Sequence, residues 1–324
     1  MDQLSIPSEI SELRISVLIP CLNESAAIGS VVRKTRAVLP GARIHVFDNA
    51  STDDTVAEAT AAGATVHRVT MRGKGNVLRQ AFALVDADLY LVIDGDGTYD
   101  VTTAPLLLKR LVVDELDMVV GDRQSSDPEA YRLGHRLGNR IFNSGAKALF
   151  GCTVRDIFSG YRAMSRPFVK SFPALATGFE VETELFLHAV ALRAPFAEIG
   201  TAYAARGANS NSKLRTLKDG AQIGWFMLRL LKHTRPYLVF GTLAVIATLI
   251  GFVLGIPVVA EYLKTGLVPR FPSAFTAGSS FVIAAVCVTS GLVLDSLAVI
   301  QREQKRLRYL SIGRFCSADR VYES

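Results

Sequence analysis

Short aliphatic and β-branched runs at residues 15–20, 44–48, 65–69, 89–94 and 117–121 punctuate the first part of the chain. Between the first four, apolar positions recur at helical spacing over about 27–39, 53–62 and 76–85. This β-α-β-α order predicts an α/β domain with a mostly parallel sheet covered on both faces. Ligands of such sheets bind beyond the carboxyl ends of the strands. Polar clusters stand at three of those ends: Asn23 and Glu24 after the first run, Asp48 to Ser51 after the second, and Asp94-Gly95-Asp96 after the fourth. Three strand ends offering polar groups to one edge make a candidate site.

The last third is patterned differently. Residues 237–260 and 271–294 contain no Asp, Glu, Lys or Arg, and as helices each would reach roughly 36 Å against a hydrocarbon core of about 30 Å. They predict two transmembrane helices, over about 237–260 and 273–297. Arg229, Lys232 and Arg235 precede the first; Arg302, Lys305, Arg306 and Arg308 follow the second. The connecting loop sets only Lys264 and Arg270 against Glu261. The positive-inside bias then places both chain ends in the cytoplasm of a multi-pass inner-membrane protein. Asp295, near the inner end of the second span, reads as an interfacial carboxylate. Residues 217–233 mix Trp225, Phe226 and leucines with basic residues, the pattern of an interfacial amphipathic helix. Residues 1–14 are polar, which argues against a signal peptide. The expected organisation is an extension at 1–14, a cytosolic domain at 15–213, a juxtamembrane helix at 214–235, two spans within 236–300 and a cytosolic tail at 301–324.

Composition narrows the function classes. Hydrophobic residues make up 49% and charged residues 20% of the 324, which excludes a disordered or collagen-like chain. The balance of 36 Lys+Arg against 30 Asp+Glu, a formal +6, suits a membrane face or phosphate ligands and is too diffuse for nucleic acid. Cys21, Cys152, Cys287 and Cys316 show no CxxC spacing, so neither a disulfide framework nor a zinc site is expected, and a reducing compartment is.

Asp94 and Asp96, spaced i, i+2 around a glycine, can turn onto one Mg²⁺ or Mn²⁺, which prefers oxygen ligands and takes the rest from water and phosphates. A lone Asp-x-Asp is more often a solvated turn; its register with two other polar strand ends favours a site. An EF-hand loop begun at Asp94 would need a glutamate where Pro105 stands. The turn after the first strand, CLNESAAIG, lacks the glycine fingerprint of dinucleotide binders, and no Walker loop is present.

The segments SVLIPCLNESAAI, VFDNASTDDT, RGKGNVLRQAF, VIDGDGTYD, VVGDR, IFSGYRAMSR, GFEVETEL and SNSKLRTLKDG, in that order and followed by the apolar hairpin, resemble glycosyltransferase family 2. The nearest resemblance is to its polyprenyl-phosphate hexosyltransferases, the dolichyl-phosphate mannose synthase-like and bacterial glucosyl-transferring members. That resemblance implies a GT-A fold, a nucleotide-diphosphate sugar donor, Mg²⁺ or Mn²⁺, a polyprenyl phosphate acceptor and a homo-oligomer. By position it implies that Pro20, Asn23, Glu24 and Asp48 line the nucleotide. Asp94 and Asp96 would hold the metal on the diphosphate, with Thr98, where the family often has Gln, as a third metal ligand, directly or through water. Lys74, in a glycine-flanked turn, suits a donor phosphate and equally a solvated loop. Arg123 matches a family arginine for phosphate or acceptor. Arg206 and Lys213 lie in a Gly/Asn/Ser-rich loop that family members close over donor and acceptor, and Arg136 and Arg140 either guide the lipid phosphate or face solvent. Asp96, Arg123 and Arg206 are thereby the expected catalytic residues. Glu180 and Glu182 organise arginines or substrate hydroxyls, or merely open a helix.

A lipid phosphate monoester is mostly dianionic at neutral pH, so the expected single displacement with inversion needs positioning of the nucleophile rather than a general base. UDP-glucose is the favoured donor, with GDP-mannose and UDP-GlcNAc as alternatives. A processive polysaccharide synthase is disfavoured because the single tryptophan, Trp225, stands outside any Q-x-x-R-W motif. A non-catalytic lipid-phosphate scaffold is disfavoured by the intact Asp94 and Asp96.

Overall fold

The aliphatic runs become strands where side chains can alternate between two buried faces. A computed structural model describes residues 12–124, 155–178, 180–204 and 236–315. Residues 12–204 of this set, with 305–315, form one compact unit, and 236–304 form the second. In the first unit, β1 (Ile15–Cys21), β2 (Arg43–Asp48), β3 (Thr65–Arg68), β4 (Leu89–Val92) and β5 (Met118–Gln124) lie where the pattern predicts. So do α1 (Ser25–Val38), α2 (Thr55–Ala61) and α3 (Lys74–Leu84), and α4 (Ala104–Val113) follows β4 with Pro105 in its first turn. Beyond them come β6 (Arg162–Ser165), α5 (Arg166–Ser171), α6 (Val181–Leu192) and β7 (Phe196–Ala202).

The seven-stranded sheet has the order β3-β2-β1-β4-β6-β5-β7. Every pairing is parallel except those of β6, which runs antiparallel between β4 and β5. Alternation along β1 sends Val17 and Ile19 to one core, with Ile28, Val32, Leu107 and Leu111. Leu18 goes to the other, with Leu78, Phe82, Phe168 and Leu185. The sheet is thus covered on both faces, as parallel sheets require. Because β6 runs against its neighbours, its first residue lies beside the carboxyl end of β4 and the middle of β5: Arg162 is in register with Val92 and Val120. The loop entering β6 therefore arrives at the sheet edge that carries the polar clusters.

The end of the chain returns to this unit. The Tyr309 hydroxyl donates to the buried Asp117 carboxylate at 2.8 Å, Arg306 donates to the Leu192 carbonyl and Arg314 to that of Leu116. In the second unit, α7 (Pro236–Thr265) and the first part of α8 (Phe271–Leu310) are long and apolar enough to cross a membrane. Small residues let them approach: Ala244, Ala247 and Ala284 form a buried seam, and the Phe252 and Phe281 rings meet edge to face at 5.2 Å. Helix α8 continues through residues 301–310, which the sequence pattern treats as tail. The interfacial helix expected over 217–233 lies outside the described residues.

Candidate active site

The loops after β1 and β2 are laced together by side chain to backbone bonds. Asn23 adopts a left-handed conformation, φ 56°, which asparagine tolerates. There its backbone N–H donates to Ser51 Oγ at 2.9 Å, and its side-chain oxygen accepts from the Thr52 N–H at 2.8 Å. The Glu24 N–H donates to Thr55 Oγ1, and Asp53 accepts from the Ser25 N–H, capping α1 from outside. Burial raises the Asp53 carboxyl, yet hydrogen bonds from Thr55 and Ser25 outweigh it and bring the pKa down to about 2. Asp48 is buried at the end of β2 and accepts from the Ser51 N–H, while Pro20 pairs in register with Phe47 beside it. Pro20, Asn23, Glu24 and Asp48 thus stand together at the carboxyl ends of β1 and β2.

Strand β4 ends at Val92, and Asp94 and Asp96 stand in the turn beyond it. The Lys74 ammonium lies between Asp94, 2.5 Å away, and Glu182, 2.6 Å away, with its side chain 10% exposed. Burial alone would pull this ammonium down; the two carboxylates override that and hold it raised. Burial likewise pushes Glu182 up against the opposing pull of Lys74, and its second oxygen, Oε2, is buried with no hydrogen-bond partner among the described residues. Lys74 reaches this position because it opens α3 between Gly73 and Gly75, where a β-carbon on Gly75 would overlap the Ala176 carbonyl. Of its two sequence readings the solvated loop is ruled out. Asp96 accepts from both the backbone N–H and the hydroxyl of Thr98, at 3.1 and 2.6 Å, so buried Thr98 orients Asp96.

Two aspartates at a strand end form an oxygen-only donor set that fits Mg²⁺ or Mn²⁺. Among the described residues no group of three His, Cys, Asp or Glu gathers around one point, so a cation here would take its remaining ligands from substrate and water.

At the end of β5, Arg123 is clasped by Asp156, whose oxygens accept from Nε at 2.6 Å and Nη2 at 2.7 Å. Its guanidinium lies 5.5 Å from the Tyr203 ring centroid. The pairing with Asp156, overriding burial, holds the guanidinium raised, so Arg123 is a permanent cation. The four basic residues Arg136, Arg140, Arg206 and Lys213 lie outside the described residues.

The sequence reading assigned no role to Asp156, Ser159, Gly160 or Arg162. The motif IFSGYRAMSR is the signal for Ser159, Gly160 and Arg162 and begins one residue after Asp156, and nothing in its periodicity places it between β4 and β5. Glu182, expected with Glu180 to organise arginines or substrate hydroxyls or to open a helix, pairs with Lys74 from the first turn of α6, and Glu180 is the N-cap of that helix.

The profile of "Glycosyl transferase family 2" matches residues 16–172. The chain is similar to "Protein RfbJ" of Shigella flexneri, at 53% identity over 38% of this chain and 95% of that protein. "Glycosyltransferase AglJ" of Haloferax volcanii is 30% identical over 91% of this chain and 98% of the relative. "Dolichyl-phosphate hexose transferase" of the same organism is 30% identical over 65% and 90%. Among solved structures, glucosyl-3-phosphoglycerate synthase from Mycobacterium tuberculosis with Mn²⁺, UDP and phosphoglyceric acid superposes with a TM-score of 0.57 at 26% identity. That similarity covers 70% of this chain and 80% of the other. Matched along nearly its whole length by a named glycosyltransferase, and sharing the GT-A-like sheet with Asp94, Asp96 and Lys74 at its carboxyl edge, the chain belongs to glycosyl transferase family 2 and is a glycosyltransferase.

Proposed function

We propose that this protein is an inverting hexosyltransferase that moves a hexose, with UDP-glucose favoured as donor, to a polyprenyl phosphate at the cytoplasmic face of a membrane. The observation that carries the reading is the convergence of Asp94, Asp96, Lys74 and Arg123 on one sheet edge of a chain that also holds two helices long and apolar enough to cross a membrane. The name of the dolichyl-phosphate hexose transferase relative supports a lipid-phosphate acceptor.

A divalent cation on Asp94 and Asp96 would neutralise charge on the departing nucleoside diphosphate. Lys74 adds a fixed positive charge at the same point, pre-organised by Glu182 in a site of low dielectric. Pro20, Asn23, Glu24 and Asp48 line the nucleotide. Arg123 holds the acceptor phosphate, which as a dianion needs orientation toward the anomeric carbon rather than deprotonation. Arg136, Arg140, Arg206 and Lys213, outside the described residues, are assigned to the acceptor phosphate on the family resemblance alone. Both chain ends face the cytoplasm.

The test is transfer of radiolabelled sugar from UDP-glucose, UDP-GlcNAc, UDP-galactose and GDP-mannose to undecaprenyl phosphate by the full-length protein with Mg²⁺ or Mn²⁺. A chloroform-soluble product from one donor, absent with EDTA and with Asp96→Asn, is the expected result. The solved relative bound to phosphoglyceric acid favours one second reading, a water-soluble phosphorylated acceptor. Labelled product with phosphoglyceric acid and none with the lipid would replace the first reading by the second.

A further inference from the structure

Among the described residues Arg162 is the largest fully buried side chain, 1% exposed, and it stands at the first position of β6 in the middle of the sheet. Its described contacts are all neutral. Nε donates to the Ser159 carbonyl at 2.9 Å, Nη2 to the Ile157 carbonyl at 2.5 Å, and Nη1 approaches Met118 Sδ at 3.5 Å. Burying a guanidinium on such partners is costly, and an apolar side chain of similar volume would serve packing better. Burial pulls this guanidinium down, and the charges of Glu182, Asp156 and Glu198 counter it only in part. Glu182 belongs to the Lys74–Asp94 cluster and Asp156 holds Arg123. Charges therefore alternate from Asp94 through Lys74, Glu182, Arg162 and Asp156 to Arg123.

The carbonyls that Arg162 grips belong to the loop entering β6, and that loop touches both halves of the site. At one end Asp156 takes Arg123 by two hydrogen bonds, while the Asp156 N–H is tied to Glu198 of β7 at 3.1 Å. At the other, a β-carbon on Gly160 would stand 2.5 Å from Asp94 Oδ2 and 2.8 Å from Lys74 Nζ, so this backbone walls the carboxylate and ammonium directly. Between them Ser159 Oγ donates to the Gly121 carbonyl at 2.6 Å, and the Gly160 N–H donates to the Tyr99 hydroxyl at 2.9 Å, three residues beyond Asp96. A planar fork can hold two carbonyls two residues apart in one geometry; a lysine cannot.

We propose that Arg162 is a positioning residue that sets the donor and acceptor subsites together: through loop 156–160 it fixes Asp156, which presents Arg123, and Gly160, which closes on Asp94 and Lys74. This rests on the reading that Arg123 meets the acceptor phosphate and Asp94 the donor side. It predicts a division of effects along one loop that loss of stability alone would not produce.

The experiment uses full-length protein in nanodiscs, with KM for undecaprenyl phosphate from steady-state transfer and Kd for Mn²⁺ plus the nucleotide of the active donor from calorimetry. Asp156→Asn is expected to raise the acceptor KM about tenfold, the loss of one charge-assisted contact of about 1.4 kcal/mol, and to leave the nucleotide Kd within about twofold. Asp156→Glu recovers part of that loss. Gly160→Ala is expected to do the reverse, weakening nucleotide binding about tenfold with the acceptor KM nearly unchanged. Arg162→Lys moves both together. Arg123→Ala is the benchmark. If it raises the acceptor KM while Asp156→Asn does not, or if Asp156→Asn and Gly160→Ala each move both constants alike, the inference is overturned and the functional reading stands. If Arg123→Ala leaves the acceptor KM unchanged, or the wild type makes no lipid product, the functional reading fails and takes the inference with it. Should Arg162→Lys not fold, the opposed effects of the other two variants still decide.

Discussion

At the scale of single residues, the site is organised by charge placed where water is scarce. Lys74 serves two carboxylates at once, so Lys74→Met leaves Asp94 and Glu182 sharing a buried space without their counter-ion. The expected cost is about 3 kcal/mol, read as a lower midpoint in thermal or urea unfolding, and the double variant Lys74→Met/Glu182→Gln should recover most of it. Asp96→Asn keeps the Thr98 hydrogen bonds as acceptor yet removes the charge, so transfer should fall at least about a hundredfold with unfolding unchanged. His188 supplies a pH signature away from the site. It is buried between Phe168 and Phe172, with Nε2 3.0 Å from Ser171 Oγ. Burial, with a smaller contribution from Lys305, takes its pKa from 6.5 down to about 3. The folded value lies below the unfolded one, so the unfolded chain takes up the proton first as the pH falls. Stability present above 6.5 is therefore lost progressively toward pH 3, by up to about 1.4 kcal/mol per pH unit from this group. Urea unfolding between pH 7.5 and 5 should show a shallower dependence in His188→Gln; an unchanged slope would refute the assignment.

At the scale of elements, the site depends on helix starts and on one reversed strand. Helix α3 can deliver Lys74 only because its first turn lies against the backbone of 176–178, where the Gly75 N–H donates to the Gly178 carbonyl at 3.1 Å. Gly75→Ala should force these two segments apart, costing about 2 kcal/mol or more and weakening nucleotide binding, measurable by calorimetry. The glycine-flanked lysine was legible in the sequence as phosphate-directed; its burial between two acids was not, because Glu182 lies more than a hundred residues further on. Strand β6 makes the same point. It has four residues, and its antiparallel insertion between β4 and β5 is written in no local periodicity, since alternation encodes which face a side chain takes and not which strand lies beside it. At the far end of the chain, Tyr309→Phe removes the donor to the buried Asp117 carboxylate and should lower stability by about 1–2 kcal/mol in the same unfolding assay.

At the scale of the whole molecule, a family 2 glycosyltransferase unit and an apolar helical pair share one chain. Membranes from expressing cells should retain the protein through carbonate washing. Under the proposed topology, a cysteine placed at Gly266 should react with a membrane-impermeant maleimide from outside, and one at Gly313 should not; equal labelling of both would refute it. The sequence by itself determined the five strands of 15–121 and the helices between the first four, the strand-end carboxylates Asp94 and Asp96, and the two uncharged stretches, while helix α4 was not among its expectations. Each of these is a local pattern, set by side-chain periodicity, turn chemistry or length against the bilayer. Only the tertiary structure decided what surrounds those groups: that Thr98 orients Asp96, that Lys74 is shared with Glu182, that Asp156 clasps Arg123, and that Arg162 is buried behind both. Apart from the Thr98–Asp96 pair, two residues apart, those contacts join residues dozens to more than a hundred positions apart, and the physical reason they escape the sequence is that strand order and loop return are settled by packing on both faces of the sheet, where no local signal records the neighbour.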